Sequence, residues 1–209
     1  MDNTIRLREA MSATHASIET LPLSKALAGG TVTRDEYRRL LCQLLLLHEA
    51  LEDELAAHAE TRDFFTPDMA RTDALRGDLA ALGADEVDIP LGETLQLAEL
   101  IRAWAAEAPW KLFGALYVFE GSRMGSMFLV RPVARALGVP VEPGQGIDYH
   151  LDGIERRPQT WAAFKTRLNQ LPLTDRQWDE VVAAASQTMD GLHELYAALS
   201  GQFACVVNS

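Results

Sequence analysis

Apolar residues recur along most of the chain at steps of three and four, the spacing that gathers them on one face of a helix turning about 100° per residue. The first such run covers Ile5 to Thr20, with Asn3 or Thr4 as its expected cap. Thr33-Arg-Asp-Glu36 has the form of a capping box and predicts a long helix reaching about His58. Thr66 followed by Pro67 predicts an N-cap with proline in the first turn, and a helix to Leu82 that Gly83 ends. Leu95, Leu97, Ala98, Ile101 and Trp104 continue the period, Pro109 punctuates it, and another apolar helix starts near Trp110. Thr174-Asp-Arg-Gln177 opens a last helix through Val181, Val182, Ala185, Met189, Leu192 and Tyr196. Gly138 to Pro158, rich in Gly, Pro and Asp, has no helical period and is expected to be a long loop of the functional kind. There is no alternating strand pattern, repeat or low-complexity tract. The expectation is a single all-α domain over residues 1–200, with seven or eight helices, and a frayed tail over 201–209.

Composition narrows the class. A chain of 209 residues, 48% hydrophobic and 23% charged, buries a full core without disulfides or a structural metal. The apolar run Leu40–Leu47 is too short for a bilayer, and Leu112–Val130 carries Glu120 and Arg123 in its middle, so no membrane span is expected. Met1 to Ala10 is charged and does not read as a secretory signal. A net charge of −11 argues against non-specific binding to nucleic acid. Cys42 and Cys205 fall in no redox or zinc spacing, which points to a reducing, cytoplasmic setting.

Two features carry candidate chemistry. On the first helix Arg8, Met11, His15 and Ile18 share one stripe, with Arg8 two turns, roughly 10 Å, from His15. A lone histidine so placed is more often a core or surface residue than a ligand, and the same holds for His48, His58, His150 and His193. The second feature is Gly121 and Gly125, at i and i+4 inside the apolar run, joined by Ser122 and Ser126. Each glycine costs about 1 kcal/mol against alanine within a helix. Close packing of another helix is the commoner reason for such a pair; a flat ligand lying across the small face, with a kink in the helix, is the other.

Leu7-Arg8 and Thr14-His15, followed about a hundred residues later by Leu116-Tyr-Val-Phe-Glu-Gly-Ser-Arg-Met-Gly125, resemble the bacterial haem oxygenase family, most of all the branch that accompanies bacterial phytochromes. The likeness extends through helix order over most of the chain. It implies a haem oxygenase-like helical fold with a kinked distal helix and His15 as the axial haem ligand. It makes Gly121 and Gly125 the distal glycines, sets Ser122 beside the distal site and Tyr117 near the haem, and gives Arg8 to a propionate. Ser126 departs from the glycine common in relatives. Gly146 to Gly153 departs from their aromatic, glycine-rich segment, while Trp161 and Phe164 follow in a familiar arrangement. The activity implied is cleavage of haem, both cofactor and substrate, to biliverdin, carbon monoxide and ferrous iron, using O2. With no flavin or nicotinamide fingerprint in the sequence, the electrons are expected from an external donor, ferredoxin or another reductase, to a monomer or homodimer.

Charge then reads differently along the chain. Residues 120–170 hold seven basic and five acidic side chains within an otherwise acidic protein, and Lys165 and Arg167 are candidates for the propionates. Two other readings remain: a haem-binding carrier or sensor without turnover, and a di-iron carboxylate oxidase drawing on Glu49, Glu52, His58 and the pair Asp190-x-x-His193. The second is weakened because only one acid-x-x-His pair exists and His48 and Glu49 point about 100° apart.

Overall fold

The computed structural model describes residues 2–83 and 89–206, with side chains as far as Gly201. Every element in that range is helical. Helix α1, Asn3–Thr20, is capped by Asp2, one residue before the expected Asn3 or Thr4, and the Asp2 carboxylate accepts the Thr4 amide at 2.9 Å. Helix α2, Pro22–Gly29, starts on its proline and ends at Gly30, whose φ of 68° lies in the left-handed region. Helix α3, Arg34–Ala57, has the capping box the sequence predicts: Thr33 Oγ1 accepts the Glu36 amide at 3.2 Å, and Glu36 Oε2 accepts the Thr33 amide at 2.6 Å. Its middle is buried on nearly every side, as Leu40, Leu41, Leu44, Leu45 and Leu47 show, so it runs through the core.

The helix expected over 66–82 is instead broken. After the short α4, Ala59–Arg62, the Thr66 hydroxyl donates to the Asp68 carboxylate at 2.6 Å rather than capping, and Pro67–Met69 makes one 3-10 turn. Helix α5, Thr72–Ala81, starts afresh, and Glu52 on α3 caps it by accepting the amides of Arg71 at 2.6 Å and Thr72 at 3.3 Å. A cap supplied from twenty residues away leaves no local signature. Helix α6, Gly92–Glu107, is anchored to α3 through Gln43 Oε1, which accepts from the Leu91 amide at 2.9 Å and the Thr94 hydroxyl at 2.7 Å.

A 3-10 turn at Pro109–Lys111 leads into α7, Leu112–Ser126, and α8 follows at Val130–Leu137. The long apolar run is thus cut one residue after Gly125–Ser126, while Met127 and Leu129 keep right-handed dihedrals. The tight bonds Phe128 N–H to Gly125 O and Leu129 N–H to Ser126 O carry the chain round this kink. These breaks divide the chain more finely than seven or eight helices. The expected loop over 138–158 also contains α9, Asp148–Leu151, and a 3-10 turn at Ile154–Arg156, while Arg157 and Pro158 already belong to α10, Arg157–Asn169. Buried Asp78 draws α9 in by accepting the amides of Asp148 at 2.6 Å and Tyr149 at 2.8 Å.

Helix α11, Asp175–Val206, continues past the boundary drawn at residue 200, because Gly201 keeps a right-handed φ and does not stop it; residues 207–209 lie outside the described residues. It lies against α1, α2, α6 and α7. At Gly114 the backbones of α7 and α11 nearly touch: an added Cβ would sit 2.4 Å from Val181 O and 2.7 Å from Ala185 N. Among the described residues, no helix is long and apolar enough to cross a membrane.

Candidate active-site cleft

Between α1 and the kinked α7 lies a cleft of about 780 Å³, closed at its sides by α9, α10 and α11. The stripe read on the first helix forms one wall, with Arg8, Met11, His15 and Ile18 all facing it. The His15 side chain is 60% exposed, which excludes a core role, and its Nδ1 lies 3.6 Å from Glu19 Oε1 one turn on. Its other ring nitrogen is the one left for a ligand in the cleft.

The opposite wall is α7. Here the commoner explanation of the glycine pair fails. A Cβ on Gly125 would meet nothing within 4 Å, and one on Gly121 would meet only the edge of Trp161 at 3.6 Å. Neither glycine is needed for the close approach of a helix backbone: Gly121 has only the Trp161 side chain of α10 beside it, and Gly125 leaves open space in the cleft. The tight-packing glycine of this helix is Gly114, two turns before Gly121 on the same stripe, where α11 rather than the cleft lies against it. Ser122 lines the cleft beside them, its hydroxyl donating to Phe119 O at 2.7 Å. Tyr117 lines the cleft as well, its hydroxyl donating to Thr4 O at 3.3 Å. Burial pushes the Tyr117 phenol upward, opposed by the charge of Arg8. Trp161 stacks on Phe164 with centroids 5.4 Å apart and leans on Tyr117 at 5.2 Å, so the familiar aromatic pair closes one end.

The expected propionate cations divide. Arg8 is in the wall; Lys165 and Arg167 are not. Lys165 sits over the Trp161 ring at 5.4 Å, at the rim, whereas Arg167 lies over Phe64 at 4.5 Å and donates to Phe64 O at 3.0 Å. Much of the basic excess in 120–170 is structural: Arg123 pairs with Glu120 at 3.0 Å, and Arg135 donates to Gly29 O at 3.0 Å. Arg157 is fully buried. Local charge in sequence is therefore a poor guide to charge at the cleft.

Sequence reasoning missed the far wall. Tyr149 and His150, on α9, both line the cleft and are both buried. Tyr149 heads a file of polar groups: its hydroxyl is 3.3 Å from His48 Nε2, and His48 Nδ1 is 3.1 Å from Glu52 Oε1. Burial raises the Glu52 carboxyl, yet the bond to His48 and the Arg71 amide outweigh it, so it stays below the usual range and is ionised at neutral pH. It therefore accepts from Nδ1, which makes Nε2 the acceptor for the Tyr149 proton. Burial holds His48 neutral and pushes the Tyr149 phenol up to about 12. Both ring nitrogens of His150 are buried without a partner, and burial pulls that imidazole down to about 3. These residues come from the stretch that has no helical period, where only tertiary contacts with Asp78 and α3 give them positions.

The residues of the di-iron reading are not brought together. Glu49 pairs with Arg76 at 2.8 Å, His58 with Glu54 at 3.2 Å, Asp190 accepts from Thr14 at 2.9 Å, and His193 meets Ser17 at 3.0 Å. No group of three or more such side chains among the described residues is placed to hold a metal ion.

The sequence model of the family described as "Heme oxygenase" matches residues 1–197. A heme oxygenase of Guillardia theta is 26% identical over 189 residues, spanning 87% of this chain and 79% of that protein. Heme oxygenase PigA of Pseudomonas aeruginosa is 27% identical over 192 residues, 91% of this chain and 89% of its own. In three dimensions, heme oxygenase-1 of Synechocystis in complex with heme superposes with a TM-score of 0.87 at 21% identity, covering all of this chain and 96% of the other.

Proposed function

The chain belongs to the heme oxygenase family, and on that premise we propose that the cleft between α1 and α7 binds haem through His15 and holds it for oxidative cleavage to biliverdin, carbon monoxide and ferrous iron. The protein is an all-α, haem-degrading oxidoreductase. The observation that carries the site assignment is the empty space above the glycines. Two residues that each weaken a helix face a cavity, and an exposed imidazole stands on the opposite wall.

The residues suit the group. A cavity of about 780 Å³ with mostly apolar walls is of the size and character that takes a flat organic ligand. Bound there, haem would supply the iron and the ring on which dioxygen chemistry runs. The chain supplies position and polarity. Glu19 Oε1 lies 3.6 Å from Nδ1 of His15, which leaves Nε2 as the ring nitrogen that would take the iron. Gly121 and Gly125 bring backbone, with no side chain, to the opposite face. Tyr149, whose proton is given to His48, keeps its oxygen lone pairs as acceptors on the cleft wall next to Ser122. Arg8 takes a carboxylate at the rim, and Lys165 stands over Trp161 to meet a second. Electrons come from a separate carrier, ferredoxin or another reductase, to a chain acting as a monomer or homodimer.

Hemin added to the purified protein should give a one-to-one complex with a sharp Soret band. Ascorbate, or ferredoxin with its reductase, should then bleach that band and leave the absorption of biliverdin. A complex that takes up electrons and O2 without forming product would overturn turnover and leave a haem carrier.

A further inference from the structure

The kink after Ser126 and the short helix α9 are separate in sequence, yet one side chain holds both. Arg157, at the start of α10, is 2% exposed, and its guanidinium donates four hydrogen bonds. Nη1 reaches Arg123 O at 2.9 Å and Ser126 Oγ at 2.8 Å, both in the last turn of α7. Nη2 reaches His150 O at 2.5 Å and Asp152 O at 2.9 Å, at the end of α9. Helices leave their last carbonyls without internal partners, and burial makes that costly. Arg157 meets that need at two helix ends at once. Ser126, which stands where relatives commonly carry glycine, has a use here: its hydroxyl donates to Arg123 O at 3.0 Å and accepts from Arg157.

We propose that Arg157 is a positioning residue that fuses the kink of α7 and the α9 segment into one rigid cleft wall, fixing Gly125 and Ser126 relative to Tyr149 and His150. The planar fork of a guanidinium matches four acceptors set in two pairs; a lysine ammonium has three donors on a single atom and cannot span both. The site is electrostatically strained. Burial and the neighbouring charges of Arg123 and Arg71 pull Arg157 down to about 10, and Asp152 opposes them. A cation kept in such a place is there for its geometry.

The test uses the full chain without haem, so it stands apart from the haem-binding reading. Amide hydrogen exchange is measured in Arg157→Lys, Arg157→Met and Ser126→Ala. Residues 127–130 and 150–153 should exchange about tenfold faster in the lysine variant, while amides in the middle of α3 and α6 keep their rates. Ser126→Ala, which removes one of the four acceptors of Arg157 and keeps the charge, should show the same pattern more weakly, and serves if Arg157→Met fails to fold. Unchanged exchange at both segments, or an equal rise throughout the molecule, overturns the proposal. A second readout does rest on haem binding. In the hemin complex, cyanide should bind Arg157→Lys at a rate at least about threefold different from the parent, with hemin affinity retained. If the parent fails to bind hemin, the cleft assignment falls and the exchange result is untouched; if the parent binds and cyanide rates are equal, the link from Arg157 to the ligand face falls.

Discussion

Three glycines on one helix should respond in opposite directions to the same substitution. At Gly114 an alanine Cβ would lie 2.4 Å from Val181 O and 2.7 Å from Ala185 N, both backbone atoms of α11 that cannot move independently. Overpacking of this kind costs about 1–3 kcal/mol. At Gly125 nothing lies within 4 Å of the new methyl, and at Gly121 only the Trp161 edge at 3.6 Å, an ordinary contact. There alanine should recover helix propensity, up to about 1 kcal/mol per site and less at Gly125, which is in the last turn. For a domain of this size 1 kcal/mol moves Tm by about 2–4 °C. Thermal melts of the haem-free protein, followed by circular dichroism, should thus rank Gly114→Ala below the parent, with Gly121→Ala and Gly125→Ala level with or above it. Gly125→Leu should fold as well but fill the cleft, weakening hemin by about tenfold, or roughly 1.4 kcal/mol. Loss of stability in Gly121→Ala and Gly125→Ala equal to that in Gly114→Ala would mean that the pair packs against protein, and the cleft reading of α7 would be refuted.

Other outcomes follow from the buried polar groups. His150 is held neutral down to about pH 3 in the fold but protonates near 6.5 once unfolded, so the unfolded chain binds the extra proton and stability falls as pH drops below about 6.5. His150→Leu should flatten that acid slope by up to about 1.4 kcal/mol per pH unit between pH 6 and 4, read from urea melts. Arg123→Met strands buried Glu120 and should cost about 3–5 kcal/mol, of which adding Glu120→Leu returns a part; an additive loss in the double variant would contradict the pairing. Thr33→Ala removes the capping-box hydroxyl of α3 and should cost about 1 kcal/mol in the same melts.

What the sequence makes legible is what local physics decides. The capping box at Thr33 and the stripe from Arg8 to Ile18 are set by neighbours in sequence, and each is found where its pattern predicts; the break after Gly125 is foreshadowed by its glycines but held by Arg157 from the start of α10. The wall formed by Tyr149 and His150 is set by Asp78, seventy residues away, and by the Glu52–His48 pair on α3. The same Glu52 ends the helix predicted over 66–82 by capping α5 from a distance. Such carboxylates satisfy amides that no local motif names. The purpose of the glycines was ambiguous for a related reason. A small residue in a helix signals close approach, and only the space around it shows whether a helix or a cavity lies there; Gly114 and Gly125 give opposite answers on one helix. Charge misled at Arg167, because a guanidinium can be drawn to an aromatic face and a carbonyl as readily as to a ligand.

The most direct test of the account is a hemin titration of the parent chain beside His15→Ala, with imidazole added back to the variant. The parent should show a one-to-one Soret shift; His15→Ala should lose it or give a different spectrum, and added imidazole should restore the parental one by entering the space the side chain left. A His15→Ala spectrum identical to the parent's would place the iron elsewhere and contradict the assignment of the cleft.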